Sequence, residues 1–598
     1  MNSKIKINKV ISDLDYSVID SKYDIFAVKT DDKYFSRGSK TFDSPLADKR
    51  VLSICFESGK TFYVMFEHNS ENKALIRKIC DDTEDADKIS IAQIKSADMD
   101  NNLLIQLLIN GISSKSHPYL RFNNLTGRFY CFCPEWIIRE KNSIKQIKTI
   151  EFHVNKDNIL EMALRTFTSL KYKDYLKFEK KKWFEYPQYM ISADNSLRRK
   201  TEADKDAEGF IMRQFSNSKN TIPFMNVQNY SKFKISKMGA LEAFISAFNN
   251  KYKGFASIKL AEKEISDSVE CLSQTKSKKI NHIYVSEVLS EKNIRIVDVI
   301  NSEDSEKFCK KISDVLSDAY EVKAKIGKRL NKEALNIRII HNDEYYGDDI
   351  HDPHDDNLEG YSVQHITFED FADSADKAIS TVAHNLIIKD DLLKKKITLI
   401  DWSSLGYNED IIFGTVLKED EFSSSRYFFM TVHPDGTFDI EEKEYTFMEM
   451  DTYTELEEIF ENNPSVVGIV KLNNGHTNII KQTGMFTVPE IFAIKEQLEQ
   501  NNTSIRNKEG RIEYFEAVTD IKLYKENGCQ YYFAGVIGNG MNTGIDRAAK
   551  IYEISATPGS DLFFERLLEL MNVLFVRNSQ LTVMPFPFKY LREYIINL

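Results

Sequence analysis

From about residue 281 to residue 404 the chain alternates between strand and helix patterns, which restricts its fold more than any other feature. "NHIYVSEV" and "IRIVDVI" read as strands, and "SEDSEKFCKKISDVLSDAYEVKAKIGKRL" reads as one long helix opened by a Ser/Asp cap. "LNIRIIHN" is a further strand, followed by an acidic loop, the strand "SVQHITF" and the helix "ADKAISTVAHNLII". Such alternation predicts a small, mostly parallel, Rossmann-like α/β unit.

After about residue 405 the order changes. "DIIFGTVLK", "SRYFFMTVH" and "TFDIEEKEY" are three strands in a row, and Asp435-Gly436 predicts a hairpin between the last two. The helix "TYTELEEIFENN", the strand "SVVGIVKL" and the helix "VPEIFAIKEQLEQ" follow. That strand stops at Asn473-Asn474-Gly475, a tight-turn signal. Then come the strands "RIEYFEAVT" and "QYYFAGVIG", the helix "SDLFFERLLELMNVLF" and the ending "TVMPFPFKYLREYIINL".

The first half is different. Residues 1–150 read as short aromatic and β-branched strands, a β-rich N-terminal or linker region. Residues 151–280 read as helical, because "DNILEMALRTFTSLKYKDYLKFEKKKWFEY" has helical spacing and a Lys/aromatic mixture. With 598 residues the chain exceeds what one core serves, so several domains are expected. Boundaries fall near 150, 280 and 404.

Net charge is −11, from 80 basic and 91 acidic residues, which excludes a uniformly basic coat but not a local basic channel. Seven scattered cysteines form no C-x-x-C pair, so neither a zinc ribbon nor a disulfide framework is suggested. Free thiols, an N-terminus without an apolar signal core and no run of 18 apolar residues predict a cytoplasmic location without a membrane partner. No P-loop, zincin, kinase or Ser/His/Asp hydrolase motif occurs.

Three antiparallel strands, a helix, a strand ending in a turn and another helix form the order of an RNase H-like fold. Placed after a small α/β unit, that order resembles the MID and PIWI domains of Argonaute proteins, here residues 281–404 and 405–598. Gln364 in "SVQHIT" and Lys389 in "HNLIIKDDL", 25 residues apart, resemble the pair with which Argonautes hold the 5′ end of a guide strand. The ending "VMPFPFKYLREY" is similar to that family's terminal Pro-x-Pro-x-x-Tyr segment. The resemblance would make residues 151–280 a PAZ-like or linker region.

The resemblance also implies what is missing. Slicing members carry a metal-binding Asp before the Gly of the turn, where this chain has Asn474-Gly475, and another in Gly-x-Asp, where it has Gly414-Thr415-Val416. Two-metal hydrolysis needs clustered carboxylates around the scissile phosphate. Val416 and Asn474 are therefore degenerate catalytic positions, and no slicer activity is expected. Asp401 in "ITLIDW" supports an alternative: an active metal-dependent nuclease with Asp410, Glu419, Asp435 or Asp520 as further acids.

Further candidates are weaker. Tyr345 and Tyr346 can stack on a first base, and the C-terminal carboxylate of Leu598 can share a Mg²⁺ ion with the guide 5′ end. His351, His354 and Asp352 are metal-ligand types within "NDEYYGDDIHDPHDDNLEGY", a stretch that otherwise reads as a solvated acidic loop. Lys171, Lys173, Lys177, Lys180 and Lys181 can line a backbone channel, as can Lys323, Lys325, Lys328 and Arg329 on the C-terminal half of the long helix, and Arg547 and Lys550. The bland reading of each is a solvated charge on the outer face of an element.

The expectation is a guide-binding protein for short RNA or DNA that recognises complementary nucleic acid. Lacking its own cleavage chemistry, it would recruit an effector in trans: a nuclease, a helicase-nuclease or an NAD-consuming protein, as inactive relatives do against plasmids and phages. A third reading is a protein-interaction scaffold with a degenerate PIWI fold.

Overall fold

The architecture comes from a computed structural model. It describes every residue except 1–3, 31–41, 43–44, 47–49, 59, 82–87, 113–116, 126, 176–185, 194, 215–221, 270–284, 343–344, 347–350, 373–374, 418–424, 445–452, 502–520, 535–543, 546–547, 572–583 and 597–598. The chain is a mixed α/β protein in two compact units. The first takes residues 1–264, 484–517 and 538–548; the second takes 265–483, 518–537 and 549–598.

The first unit contains β1 (Lys4–Leu14), β2 (Tyr23–Thr30), β3 (Ser53–Phe56), β4 (Thr61–Glu67), α1 (Asn72–Asp81), β5 (Ile89–Ile94) and α2 (Asn101–Asn110). The strands β3-β4-β2-β5 form one sheet around a core of Phe26, Val64, Phe66 and Ile76. A second sheet contains β6 (Arg121–Leu125), β7 (Arg128–Phe132), β8 (Ile137–Glu140), β9 (Ser143–Val154), β10 (Leu160–Ser169), β11 (Tyr189–Ile191), β12 (Leu197–Arg199) and β13 (Phe210–Met212). The helix α3 (Lys237–Lys251) is capped by Ser236 and leads into β14 (Ala256–Glu264), which pairs with β1.

One expectation fails in this unit. The helical reading of residues 151–280 is overturned over Leu160–Thr168, which pair residue by residue with β9. Leu160, Ala163, Leu164 and Phe167 have helical spacing, but sheet pairing overrides that pattern. Conversely, residues 1–150 hold α1 and α2 among their strands.

The second unit opens with the expected parallel sheet. It contains β15 (Asn293–Asp298), α4 (Glu303–Tyr320), β16 (Ala324–Gly327), β17 (Ala334–Ile340), β18 (Ser362–Thr367) and α5 (Ala375–Lys394). The order is β16-β15-β17-β18, all parallel. Residues of α4 and α5, such as Phe308, Ile312, Ile379 and Leu386, pack with Ile337, Ile339 and Ile366 in one core. Val285–Ser290 is helical, although "NHIYVSEV" reads as a strand. The helix α4 is also shorter than predicted. Glu321, at φ 58°, caps it in the left-handed region, and Ala324–Gly327 turn back as an edge strand.

The three expected strands are β19 (Ile411–Leu417), β20 (Arg426–Val432) and β21 (Phe438–Glu444), all antiparallel. Gly436, at φ 80°, and the bond from His433 N to Thr437 O close the predicted hairpin. The helix α6 (Thr454–Asn462) leads to β22 (Val466–Leu472), which pairs antiparallel with β19. The next element is not a helix. Residues Thr477–Val488 form β23, a hairpin with β22, and only then comes α7 (Ile491–Asn501). This inserted strand departs from the element order on which the RNase H-like reading rests.

The strands β24 (Ile521–Glu526), β25 (Cys529–Ala534) and β26 (Lys550–Ala556) extend the sheet in the order β24-β25-β26-β23-β22-β19-β20-β21, with Thr477–Thr483 of β23 counted in this unit. The helices α8 (Phe564–Met571) and α9 (Pro587–Ile596) follow. Phe588, Tyr590 and Leu591 of α9 enter the same core as the parallel sheet. No helix among the described residues is long and apolar enough to cross a membrane.

Candidate functional site

The N-terminal edge of the parallel sheet gathers the best-supported sequence candidates. Because α5 returns antiparallel to β18, its last turns lie beside the start of that strand. The Lys389 Nζ donates to the Val363 carbonyl at 2.7 Å, one residue from Gln364. Burial pulls the Lys389 pKa down, while Glu593 on α9 favours the charged form. An ammonium has three donors, so this bond leaves Nζ able to donate further. Gln364 is half-buried on the helix-facing side of β18, and its Nε2 lies 3.5 Å from the His365 carbonyl, a weak contact.

The neighbours of Lys389 form a charged frame. Asp390 accepts from Lys292 at 2.5 Å and from Lys394 at 2.8 Å. Asp391 is fully buried and accepts from Thr398 N, Thr398 Oγ1 and the Tyr590 hydroxyl, the last at 2.7 Å. Burial nevertheless wins over these bonds and pushes its pKa up to about 6. Tyr590 is the last residue of the Pro-x-Pro-x-x-Tyr segment, so that segment is tied to the Lys389 end of α5. Leu598 lies outside the described residues.

The opposite face of the sheet carries a second polar set. Arg338 and His365 are direct neighbours in register. Arg338 is buried; its Nη2 reaches Asp356 at 2.5 Å and its Nη1 the Pro353 carbonyl at 3.1 Å. His351 bonds Asp356 at 2.6 Å, and His354 bonds Asp352 at 2.7 Å while stacking on His365. Burial, and Arg338 after it, push the His365 pKa down to about 4, and its Nδ1 has no hydrogen-bond partner among the described residues. The acidic loop is therefore partly a clamp on Arg338. Its histidines pair with different aspartates, and no group of three or more His, Cys, Asp or Glu side chains converges for a metal among the described residues.

The tyrosines do not join Lys389. Tyr346 is buried and accepts from His341 N; Tyr345 is exposed and stacks on His341 at 3.6 Å between centroids. His341 follows Ile340, which pairs with Thr367 at the far end of β18. Four residues of strand, about 13 Å, separate that end from Val363.

Val416 and Asn474 are likewise apart. Leu472, which leads into the Asn474 turn, pairs with Ile411 at the start of β19, and Val416 is five residues further on, about 17 Å along the strand. Asn474 Oδ1 accepts from His476 N in a local turn completed by Gly475 at φ 90°. The acids of the nuclease alternative also have local partners. Asp401 is no strand-end residue; it caps the short helix Trp402–Leu405 and accepts from Ser403 Oγ. Asp410 bonds His433, and Asp435 bonds Thr437. Glu419 and Asp520 lie outside the described residues.

The basic candidates scatter. Lys323, Lys325, Lys328 and Arg329 are exposed on and beside the edge strand β16, not on the helix where the sequence places them. Lys171 pairs with Glu208 at 3.6 Å, Lys173 lies in the short helix Leu170–Tyr175, and Lys550 is exposed at the start of β26. Lys177, Lys180, Lys181 and Arg547 lie outside the described residues. Sequence reading missed Lys292, Asp390, Asp391, Arg338 and His365. A buried charge on a strand or helix face announces itself only through a partner distant in sequence.

No protein-family model matches the chain, and no curated protein matches it.

Proposed function

We propose that this protein binds a short guide strand of RNA or DNA and uses it to recognise complementary nucleic acid without cutting it. The observation that carries the reading is the fold-back of Lys389 onto the strand position next to Gln364. Two groups 25 residues apart thereby serve one edge of the parallel sheet. An ammonium and an amide suit a nucleotide end, the first as a point charge for phosphate and the second as a donor and acceptor. Lys292 and Lys394 share Asp390 while Glu593 faces Lys389, so a strand's phosphate would draw on ammoniums already gathered at this edge. Tyr345, at the far end of β18, is not part of this site. A divalent ion such as Mg²⁺ would be compatible with a strand's terminal phosphate there.

Sequence readout would then come from base pairing, with the protein holding backbone and strand end. An Argonaute-like role of this kind, with an effector in trans against plasmids or phages, rests on the resemblance of residues 281–598. The test is the affinity of the full chain for 5′-phosphorylated short RNA and DNA. A Gln364→Ala, Lys389→Ala double variant, checked for an unchanged melting temperature, is expected to lose at least tenfold. It should also flatten the dependence of log affinity on log salt by roughly 0.7–0.9, one phosphate contact. Unchanged affinity and slope would overturn the site. No binding by the parent protein would favour the scaffold reading.

A further inference from the structure

The first unit holds a cleft of about 680 Å³ that shares no residue with the Lys389 site. Its floor is a cross-strand row on the second sheet: Tyr130 of β7, Glu151 of β9 and Ala163 of β10 are direct neighbours in register. Ala163 is the small member of that row, and its missing side-chain volume deepens the cleft. Phe56, the last residue of β3 and packed against the core of the first sheet, and Tyr189 of β11 supply aromatic walls.

Charge inside the cleft is asymmetric in its accessibility. Glu151 is buried and is engaged by Arg165 at 2.6 Å and by Arg128 at 3.6 Å. The two guanidiniums are about half exposed and share that single carboxylate. Each guanidinium has five N–H donors in a planar fork, so donors remain after Glu151 is satisfied. The buried carboxylate thus holds two arginines that both line the cleft. Glu161, on the rim, is held by Asn155 at 3.1 Å and offers an acceptor. The Tyr130 hydroxyl meets the Met212 sulfur at 3.4 Å.

We propose that this cleft binds a free nucleoside phosphate. The phosphate would lie on Arg128 and Arg165, the base would lie against the aromatic walls, and the sugar hydroxyls would reach Glu161. Volume falls in the range of small-molecule sites, where mostly apolar walls carry a few convergent polar groups. Paired arginines recognise phosphate bidentately, and aromatic faces accept any base. A purely apolar ligand would leave the outward donors of Arg128 and Arg165 without a partner from the ligand, whereas a phosphate oxygen accepts from them.

The experiment is equilibrium dialysis of the full chain with radiolabelled ATP, GTP, AMP and GMP. Saturable binding is expected for at least one of them. Ala163→Trp fills the floor and Arg128→Ala removes the more exposed guanidinium; each should weaken binding at least tenfold with an unchanged melting temperature. Lys389→Ala, in the other unit, should leave it unaltered. Absence of saturable binding, or binding insensitive to both cleft variants, would overturn the proposal. So would displacement of the nucleotide by a short oligonucleotide whose own binding is lost in the cleft variants, since the occupant would then be a strand end. Because Arg128 is half exposed and Arg165 keeps Glu151 paired when Arg128 is removed, a failure of Ala163→Trp to fold leaves the test intact.

Discussion

The Lys389 end of the parallel sheet and the Asn474 turn of the antiparallel sheet are both polar strand margins, and they are held in contrasting ways. At the first, Lys389 reaches a strand carbonyl 26 residues away, and Asp391 reaches a hydroxyl 199 residues away. At the second, Asn474 bonds the backbone two residues on, and Gly475 supplies the bend. Long-range bonds to buried charges are costly to desolvate and keep a side chain in one place. A local Asx turn needs only its own loop. The first margin is therefore built to position particular groups, whereas the second is built to reverse the chain.

The largest expected break of this contrast is Arg338→Ala, on the other face of the parallel sheet. Removing the guanidinium leaves the Pro353 carbonyl without this donor and Asp356 with His351 alone, at a cost of roughly 2–3 kcal/mol. Urea unfolding monitored by two probes would measure it, and a change below about 1 kcal/mol would show that the loop clamp is idle. Next comes pH. Burial raises the Asp391 carboxyl from its ordinary value to about 6, so the folded state holds more protons than the unfolded state between pH 4 and 6. Stability from this group is full below about pH 4 and is lost as pH rises through 6, by about 2–3 kcal/mol. Asp391→Asn should flatten that part of the stability–pH curve.

Smaller effects belong to the turn. Gly475→Ala meets no steric neighbour, but φ 90° is strained for any Cβ, so about 1–2 kcal/mol is expected in unfolding experiments. The smallest effect is the most discriminating. A Val416→Asp, Asn474→Asp variant restores both acids of the resembled motif, yet register keeps them at different ends of β19. No Mg²⁺- or Mn²⁺-dependent cleavage should appear; its appearance would mean that the two positions do form one centre.

How far the fold was legible follows the same contrast. Much of the parallel unit was readable because β15, β17, β18, α4 and α5 each carry their own periodicity, and because a helix returning after β18 must end near its start. That geometry makes a 25-residue spacing between Gln364 and Lys389 informative. The strand β23 was hidden because "NNG" reads as the end of a strand, while Ile480 and Val488 become buried only once the hairpin forms. Glu321 ends α4 in a left-handed conformation without the Gly or Asn that usually signals such a stop, so the basic residues after it were assigned to a helix. The bonds of Asp391 and Arg338 depend on partners that no local pattern specifies.

The interleaving of the two units has a consequence for the order of events during synthesis. The first 264 residues are made early, but the segments 484–517 and 538–548 that complete their unit come only after the 219 residues between 264 and 484 have been translated. At ribosomal speeds that delay is on the order of tens of seconds. Over that interval β1 lacks its partners Thr487 and Val488, and the buried Glu242 of α3 lacks the Lys495 ammonium that meets it at 3.0 Å. The nascent chain therefore has to carry an incomplete first unit while residues 265–483, themselves still without the 518–537 and 549–598 segments of their own unit, are being made, and that window is where a chaperone would have most to do.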